Sequence, residues 1–556
     1  VRLSHVQIEG YRGLRRLDLE LEELTAIIGE NGYGKTSLLD ALMTCLGPEA
    51  GAPVFAARDF HVSSASQEPV DRVRIELTFV ETRPDERAAR PALAPAVVGP
   101  PGAGLLVLRV EARRDGEAPA AGVVTFCDPD GRPLAPQPPE TTLECLRDAC
   151  PAIVLRAGRY FVAPPGPPGN GPSKGLTADV ALEQRVLHAY AGLARGFEAT
   201  ADMRAGVDAA REIVERYAGH VAEHARPRTT TRLLEALAQA PGARTAAPAE
   251  LLRAPGGAAQ GLAALLIVGG LFQAHVDAVT LAEADPILVI EDPEANLHPL
   301  VTANVSRLID ALPIQRIVTT NSGDVLSSIP LWALRRAVRR VDGVHVHKVE
   351  RRQLSLDDLR RIGYHVRSNR ADALFARAWL LVEGETEFWL VPELARVLGI
   401  DLPAEGVRVV EFAQCGIEPL VKLAKALDIA WHLLADGDEA GQRYADRARD
   451  LAGPDHADEL VTLLEDQDIE HCFWAHGFHD VFRTAAGMKP AGTPKVLKRT
   501  TSRDPKASKV ISRAIAIRSK PRLALEVLEA VAARGPDAVP TKLRALIETT
   551  VRLARA

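Results

Sequence analysis

Apolar and polar positions alternate at the start of the chain, so Val6 to Ile8 and Leu17 to Leu21 read as strands. Leu24 to Ile28 is apolar but for Thr25, the pattern of a buried strand, and a glycine loop follows it. From Ser37 to Leu46 the period becomes helical. Arg83 to Gly104 turns to Pro, Ala and Gly, the composition of a surface excursion, and Ala163 to Gly175 reads as a linker. Thr177 to Gln239 carries apolar residues at helical spacing and predicts an inserted helical arm. After a Pro/Gly break at Ala254 to Gly257, Pro286 to Ile290 and Ile314 to Thr319 are buried-strand candidates. A second α/β unit opens near Ala378, with strands Trp379 to Val382, Val407 to Phe412 and Trp431 to Ala435. Alternation of this kind predicts an α/β protein with mostly parallel sheets in both units.

A chain of 556 residues implies two or three domains, and 47% hydrophobic with 25% charged residues implies a folded one. The net charge of -6 argues against a generally basic nucleic-acid coat and leaves room for a local basic groove. None of the six cysteines forms a C-x-x-C pair, which speaks against a zinc ribbon and for thiols in a reducing compartment. There is no secretory h-region and no apolar run long enough to span a membrane. The leading valine fits a GTG start codon, so the expectation is a bacterial cytoplasmic protein without a membrane partner.

Gly29-Glu30-Asn31-Gly32-Tyr33-Gly34-Lys35-Thr36 fits G-x-x-x-x-G-K-[ST] between a strand and a helix. There the backbone N–H groups of Asn31, Gly32, Gly34 and neighbours can close around phosphates, Lys35 can reach the β/γ oxygens, and Thr36, next to Ser37, can ligate Mg²⁺. With the preceding Ile8-Glu9-Gly10-Tyr11-Arg12-Gly13, this opening resembles the SMC/RecF branch of ABC ATPases. Ile287 to Ile290 followed by Glu291-Asp292-Pro293-Glu294 suits a Walker B element, one carboxylate serving the Mg²⁺ shell and one orienting water. The usual Asp-Glu order of those ATPases is reversed here, and Asn321 stands where they carry a switch histidine. Asn321 can hydrogen-bond a γ-phosphate but cannot take its proton, so slow hydrolysis is expected, with ATP acting partly as a conformational signal. Gly256 to Gly261 reads equally as a degenerate ABC signature loop or as a plain Gly-rich helix entry.

In the second unit, Leu380-Leu381-Val382-Glu383-Gly384-Glu385-Thr386-Glu387 places one glutamate at a strand end and another four residues later. Leu433-Leu434-Ala435-Asp436-Gly437-Asp438 repeats the logic with Asp436 and Asp438. At the carboxyl ends of parallel strands these four acids would converge, and hard oxygen ligands of that kind suit Mg²⁺ or Mn²⁺ rather than zinc. Between Lys489 and Arg522 the chain carries eleven basic residues against one acid, Asp504, a footprint for a phosphate backbone without interleaved aromatics for stacking.

In this order the motifs resemble the Toprim domain and, over nearly the whole chain, the OLD (overcoming lysogenization defect) family of ATP-dependent endonucleases. The resemblance implies DNA as substrate, ATP with one Mg²⁺ at the ATPase, and a two-metal Mg²⁺ or Mn²⁺ site built on Glu383, Glu387, Asp436 and Asp438. One ion would activate water and the other would stabilise the leaving oxygen. It further implies Glu470, in Asp468-Ile469-Glu470-His471, as another metal ligand and Lys520 as the residue that stabilises transition-state charge. Glu291 and Asp292 would act in ATP hydrolysis. A homodimer, a helicase or other defence-system partner, and a role in DNA repair or phage defence complete the implied picture. The implied division is residues 1–165 and 251–372 as two parts of the ATPase, 166–250 as the dimerising helical insertion, and 373–556 as the Toprim nuclease with a basic helical end. Two alternatives stand beside it: an SMC/RecF-like DNA-binding ATPase without nuclease output, and a topoisomerase- or primase-like Toprim enzyme. No tyrosine follows Tyr444 to serve a topoisomerase, and the cysteines supply no primase-type zinc domain.

Overall fold

The computed structural model describes residues 1–47, 51–62, 68–139, 141–150, 152–156, 285, 287–294, 314–368, 370–490 and 505–556. The linker at Ala163 to Gly175, the helical arm, the glycine loop Gly256 to Gly261 and the segment from Ala295 through Pro299 lie outside the described residues. The chain divides into two compact units, Val1–Lys348 and Val349–Ala556.

The first unit is built on a twelve-stranded sheet. Its strands are β1 (Arg2–Tyr11), β2 (Leu14–Glu20), β3 (Leu24–Ile28), β4 (Arg72–Val80), β5 (Val97–Val98), β6 (Leu105–Arg113) and β7 (Val123–Cys127). They continue as β8 (Ala152–Arg156), β9 (Ile287–Glu291), β10 (Gln315–Thr319), β11 (Leu334–Arg340) and β12 (Gly343–Lys348). The order is β8-β9-β10-β3-β11-β12-β2-β1-β4-β6-β5, with β7 also on β6. β8, β9, β10, β3 and β11 are mutually parallel. All five residues of β3 are buried, Thr25 included, and helix α1 (Lys35–Leu46) follows it; α2 (Thr141–Ala149) precedes β8 and α3 (Gly323–Ser328) lies between β10 and β11.

The expectation of a mostly parallel sheet is corrected for the rest of this unit. β2, β1, β4 and β6 pair antiparallel, and so do β5 and β7 with β6. The cause is visible in β4, whose buried positions alternate strictly with partly exposed ones. That period of two marks strands with one wet face, which hairpins can join directly. Tyr11 pairs with Leu14 across such a hairpin, and Arg12 takes the left-handed conformation (φ 45°) at its turn.

The Pro/Ala/Gly excursion after Arg83 is tied down by one buried carboxylate. Glu81 takes two hydrogen bonds from Arg87 at 2.8 Å and further ones from the Gly102 and Gly104 backbone N–H groups at 3.1 Å.

The second unit carries a four-stranded parallel sheet of β13 (Ala378–Val382), β14 (Val407–Glu411), β15 (Ala430–Ala435) and β16 (Val461–Leu463), in the order β14-β13-β15-β16. α4 (Leu356–Ile362) precedes it, and α5 (Glu385–Val397), α6 (Ile417–Ala426) and α7 (Glu439–Ala452) connect its strands. α8 (Ile469–Phe473), α9 (His479–Ala485), α10 (Pro505–Arg518), α11 (Lys520–Arg534) and α12 (Thr541–Arg555) close the chain. One apolar core joins Leu380, Val382 and Leu394 to Phe473, Phe478, Leu523 and Ile547, so the C-terminal helices belong to the body of the unit. The chain leaves β13 for β14 on one side and returns to β15 on the other. The strand order therefore reverses about β13, the place where open α/β sheets form their crevice.

Glu81→Ala removes the acceptor shared by Arg87 and two backbone donors and is expected to cost about 3 kcal/mol, read as a lower urea midpoint. An unchanged midpoint would show that this carboxylate does not hold the excursion in place.

Candidate functional site

In the first unit, the order β9-β10-β3 with all three strands parallel brings three strand ends to one edge. The Gly29 to Thr36 loop leaves β3 there. Gly34, at φ 86°, caps α1, and a Cβ on it would stand 2.2 Å from Leu14 Cδ2, so the position admits only glycine. The Lys35 ammonium is folded back onto the Gly29 carbonyl and also meets the Glu30 carbonyl at 3.3 Å and Asn321 Oδ1 at 3.2 Å. Burial lowers its pKa, and the carboxylates of Asp292, Glu294 and Glu291 offset that only in part. Thr36 Oγ1 donates to Glu291 Oε1 at 2.5 Å, and Asn321 Nδ2 donates to Asp292 Oδ1 at 3.3 Å. Asp292 sits at φ 45°, and burial, with Glu294 and Glu291 nearby, raises its carboxyl.

The two acids of the reversed pair thus face different partners: Glu291 the hydroxyl of Thr36, Asp292 the amide of Asn321. Ser37 accepts from the Gly13 N–H at 3.2 Å and so ties the loop to the β1–β2 turn. Two residues that sequence reasoning passed over complete the arrangement. Glu294 accepts from the Asn321 N–H at 2.8 Å and from Thr320 Oγ1 at 3.0 Å, and Arg339 donates to the Gly32 carbonyl at 2.6 Å. Glu294 had a signal in the Pro-Glu that follows the strand. Arg339 had none, because β11 reaches the loop only through sheet pairing.

In the second unit the acids collect at the carboxyl edge of the sheet. Glu383 follows β13 and Asp436 follows β15. Glu387, buried in the first turn of α5, reaches back to the Gly384 N–H at 3.1 Å. Asp438 caps α7 by accepting from the Gly441 N–H at 2.7 Å. The Asp-Gly-Asp turn lies flat on the end of β16, where a Cβ at Gly437 would stand 2.2 Å from the Asp466 carbonyl oxygen. Glu470 is 5% exposed, and neither of its carboxylate oxygens has a hydrogen-bond partner. The Lys520 ammonium approaches Glu470 Oε1 to 3.5 Å.

Burial raises Asp436 to about 8, and Glu387, Asp468, Glu383 and Glu470 push in the same direction. Burial raises Glu387 to about 7, with Glu470 adding to it and Lys520 opposing. Glu383 is raised by burial and then by Asp438, Glu470 by burial and then by Asp468. Burial alone would lower Lys520, yet the surrounding acids, Glu470 and Asp468 first, hold it above its usual value.

Asp468 is the site residue whose role the sequence did not declare. It caps α8, accepting from the His471 backbone N–H at 2.8 Å and from the His471 ring Nδ1 at 2.5 Å, while Nε2 of the same ring lies 3.0 Å from Ser508 Oγ on α10. Of the basic strip, Lys489, Lys506, Lys509, Arg513, Arg518, Lys520 and Arg522 are described, whereas Lys495, Lys498, Arg499 and Arg503 lie outside the described residues. Arg518 and Arg522 both turn toward Glu526, at 3.4 and 3.7 Å.

Residues 1–373 match the family described as "Protein of unknown function (DUF2813)", and residues 374–438 match the overcoming lysogenization defect protein-like TOPRIM domain. The "Uncharacterized protein YbjD" of Escherichia coli (strain K12) is 36% identical over 566 residues, covering 100% of this chain and 99% of its own. The "OLD nuclease" of Thermus scotoductus is 33% identical over 183 residues, 31% of this chain and 34% of its own. Among solved structures, the C-terminal region of the Burkholderia pseudomallei OLD protein is 23% identical, with a TM-score of 0.27, and covers 33% of this chain and 100% of its own. The SMC head domain from Thermotoga maritima is 17% identical, with a TM-score of 0.31, and covers 63% of this chain and 100% of its own. No helix among the described residues is long and apolar enough to cross a membrane.

Asp436 moves from 3.8 to about 8 and Glu387 from 4.5 to about 7, so between these values the folded chain keeps protons that the unfolded chain has released. The stabilisation is complete below pH 4 and is lost as pH rises through about 8. In chelator the melting temperature should therefore fall from pH 5 to pH 8.5, and Asp436→Asn should flatten the fall. A wild-type profile no steeper than that of the variant would contradict this reading of the cluster.

Proposed function

The chain belongs to the DUF2813 family, in the OLD-type arrangement of an ATPase unit followed by a Toprim unit, and on that footing we propose a metal-dependent DNA nuclease regulated by ATP. The observation that carries the proposal is the convergence of Glu383, Glu387, Asp436, Asp438 and Glu470 on one sheet edge beside Lys520. The edge fits divalent cations: both oxygens of buried Glu470 lack a hydrogen-bond partner, and burial with carboxylate crowding keeps Asp436 protonated up to about pH 8. So many carboxylates ionise together near neutrality only with cations among them. Glu383, Glu387, Asp436, Asp438 and Glu470 would hold two Mg²⁺ or Mn²⁺ ions, which supply the positive charge that phosphodiester hydrolysis needs.

The protein's own part is to orient and to neutralise. Asp438 and Glu387 are fixed by helix N-terminal hydrogen bonds and present their remaining oxygens in set directions. Lys520, anchored beside Glu470, offers its ammonium to the charge that develops on the scissile phosphate. At the nucleotide site, Thr36 and Glu291 would share one Mg²⁺, while Lys35 exchanges the Gly29 carbonyl for the β/γ-phosphates of ATP. Asn321 and Asp292 would face the γ-phosphate, with a hydrogen-bond donor in place of a switch histidine. That substitution favours slow hydrolysis, and so nucleotide as a regulator of cleavage. The domain limits 1–165, 166–250, 251–372 and 373–556, a homodimer formed through the helical insertion or the ATPase, a helicase or other defence-system partner, and service in DNA repair or phage defence in the bacterial cytoplasm belong to the same proposal.

Supercoiled plasmid incubated with the protein and Mg²⁺ or Mn²⁺ should be nicked or linearised. Asp436→Ala/Asp438→Ala should leave it intact, and Lys520→Ala should slow cleavage about a hundredfold. Intact plasmid with wild type, or equal cutting by wild type and the double aspartate variant, would sink the assignment.

A further inference from the structure

Beside the acid edge the second unit has a hollow of about 460 Å³ lined by Arg360, Arg361, Tyr364, His365 and Gln414. Its floor and rim come from two places. Arg360 and Arg361 end α4, and Tyr364 and His365 lie on the wide helical turn Gly363–Ser368 that continues it. Wide turns of this kind frequently mark functional sites. Gln414 comes from the loop after β14, where the preceding residue, Ala413, donates its N–H to the Glu383 carbonyl at 3.2 Å. Gln414 thus stands just past the carboxyl end of β14, the neighbour of β13, on the sheet edge that also carries Glu383.

The chemistry of the lining is specific. Tyr364 is 64% exposed, and its ring meets that of His365 edge-on, with centroids 4.9 Å apart at 86°. An edge-to-face pair covers at most one face of either ring. A large apolar ring left standing in water beside two guanidiniums is not core packing. Arg360 gives Asp357 two hydrogen bonds, from Nε at 3.3 Å and from Nη2 at 3.0 Å, Arg361 meets it at 2.8 Å, and both remain substantially exposed. A guanidinium has five donors, so each keeps several for another oxygen ligand. Gln414 adds an amide that can meet a base edge from either of its polar atoms. Ring face, guanidinium forks and amide together match the base face, the phosphate and the base edge of a nucleotide.

We propose that this hollow seats one unpaired nucleotide of the DNA strand flanking the scissile phosphate, its base on Tyr364 and its phosphate on Arg360 and Arg361. The proposal rests on the nuclease reading of the neighbouring acids and adds the substrate class. A base can stack on Tyr364 only after leaving its own neighbour in the duplex, so the site favours DNA that is single-stranded or frayed next to the cut.

The test uses the full chain with Ca²⁺ and a fluorescein-labelled single-stranded oligonucleotide, read by anisotropy, with a blunt duplex of the same sequence alongside. Tyr364→Ala should weaken single-strand binding about tenfold and shift duplex binding much less, and Tyr364→Phe should restore it. Arg360→Gln/Arg361→Gln should weaken binding and reduce the salt slope by about 1. All of these side chains are solvent-facing, so unchanged melting temperatures are expected and confirm folding. Wild-type affinity in every variant, an equal loss on duplex, or failure of phenylalanine to restore binding would each overturn the proposal. The two readings fail separately. Plasmid cleavage with unaltered binding by the variants removes only the hollow, whereas Tyr364-dependent binding without cleavage removes only the nuclease.

Discussion

Carboxylates repel one another, and a protein that buries several together has to hold them against that repulsion. In the second unit the restraint is the parallel sheet itself. β13, β15 and β16 end at one edge, and each delivers acids there whatever their mutual charge. Burial of Asp436 and Glu387 is met by keeping protons, and burial of Glu470 by the nearby Lys520 ammonium. Asp468 follows a different course. Its hydrogen bonds from His471 overcome burial and hold it below the usual carboxylate range, while the same ring reaches Ser508. One histidine therefore couples an acid of the edge to α10, the helix that leads into Lys520.

The first unit applies the same sheet geometry to a different end. Parallel β3, β10 and β9 bring the glycine loop, Asn321 and the Glu291-Asp292 pair to one edge, and the Lys35 ammonium sits among the acids. Lys35 is held by loop carbonyls and by Asn321, so a nucleotide bound as proposed would displace existing hydrogen bonds to engage it. Reversing the acid pair places the longer glutamate arm on Thr36 and the shorter aspartate arm on Asn321. Asp292 adopts a left-handed backbone conformation at this point.

Much of this was legible in the chain, and for local reasons. Leu24 to Ile28 followed by glycines, Lys35 and Thr36 is a strand, loop and helix read from consecutive residues. Each acid motif of the second unit likewise sits directly after an apolar run. What was not legible depends on pairing between distant segments. The antiparallel half of the first sheet could have been suspected from the strict alternation in Arg72 to Val80, but the clamp of Glu81 on Arg87 could not. The contact of His471 with Ser508 crosses 37 positions and needs α8 packed on α10. Tyr364 offered no signal at all, since a lone tyrosine after an amphipathic helix is ordinarily core, and only its exposure distinguishes it.

In the proposed metal site the clustered acids keep protons until divalent cations displace them. Titration of the protein with Mn²⁺ by calorimetry, in buffers of different ionisation enthalpy at pH 7, counts those protons directly. Because Asp436 and Glu387 are raised to about 8 and about 7, binding should release about one proton or more per chain, and Asp436→Asn should reduce the release. Mn²⁺ binding without proton release, or no binding that depends on Asp436, would contradict the account.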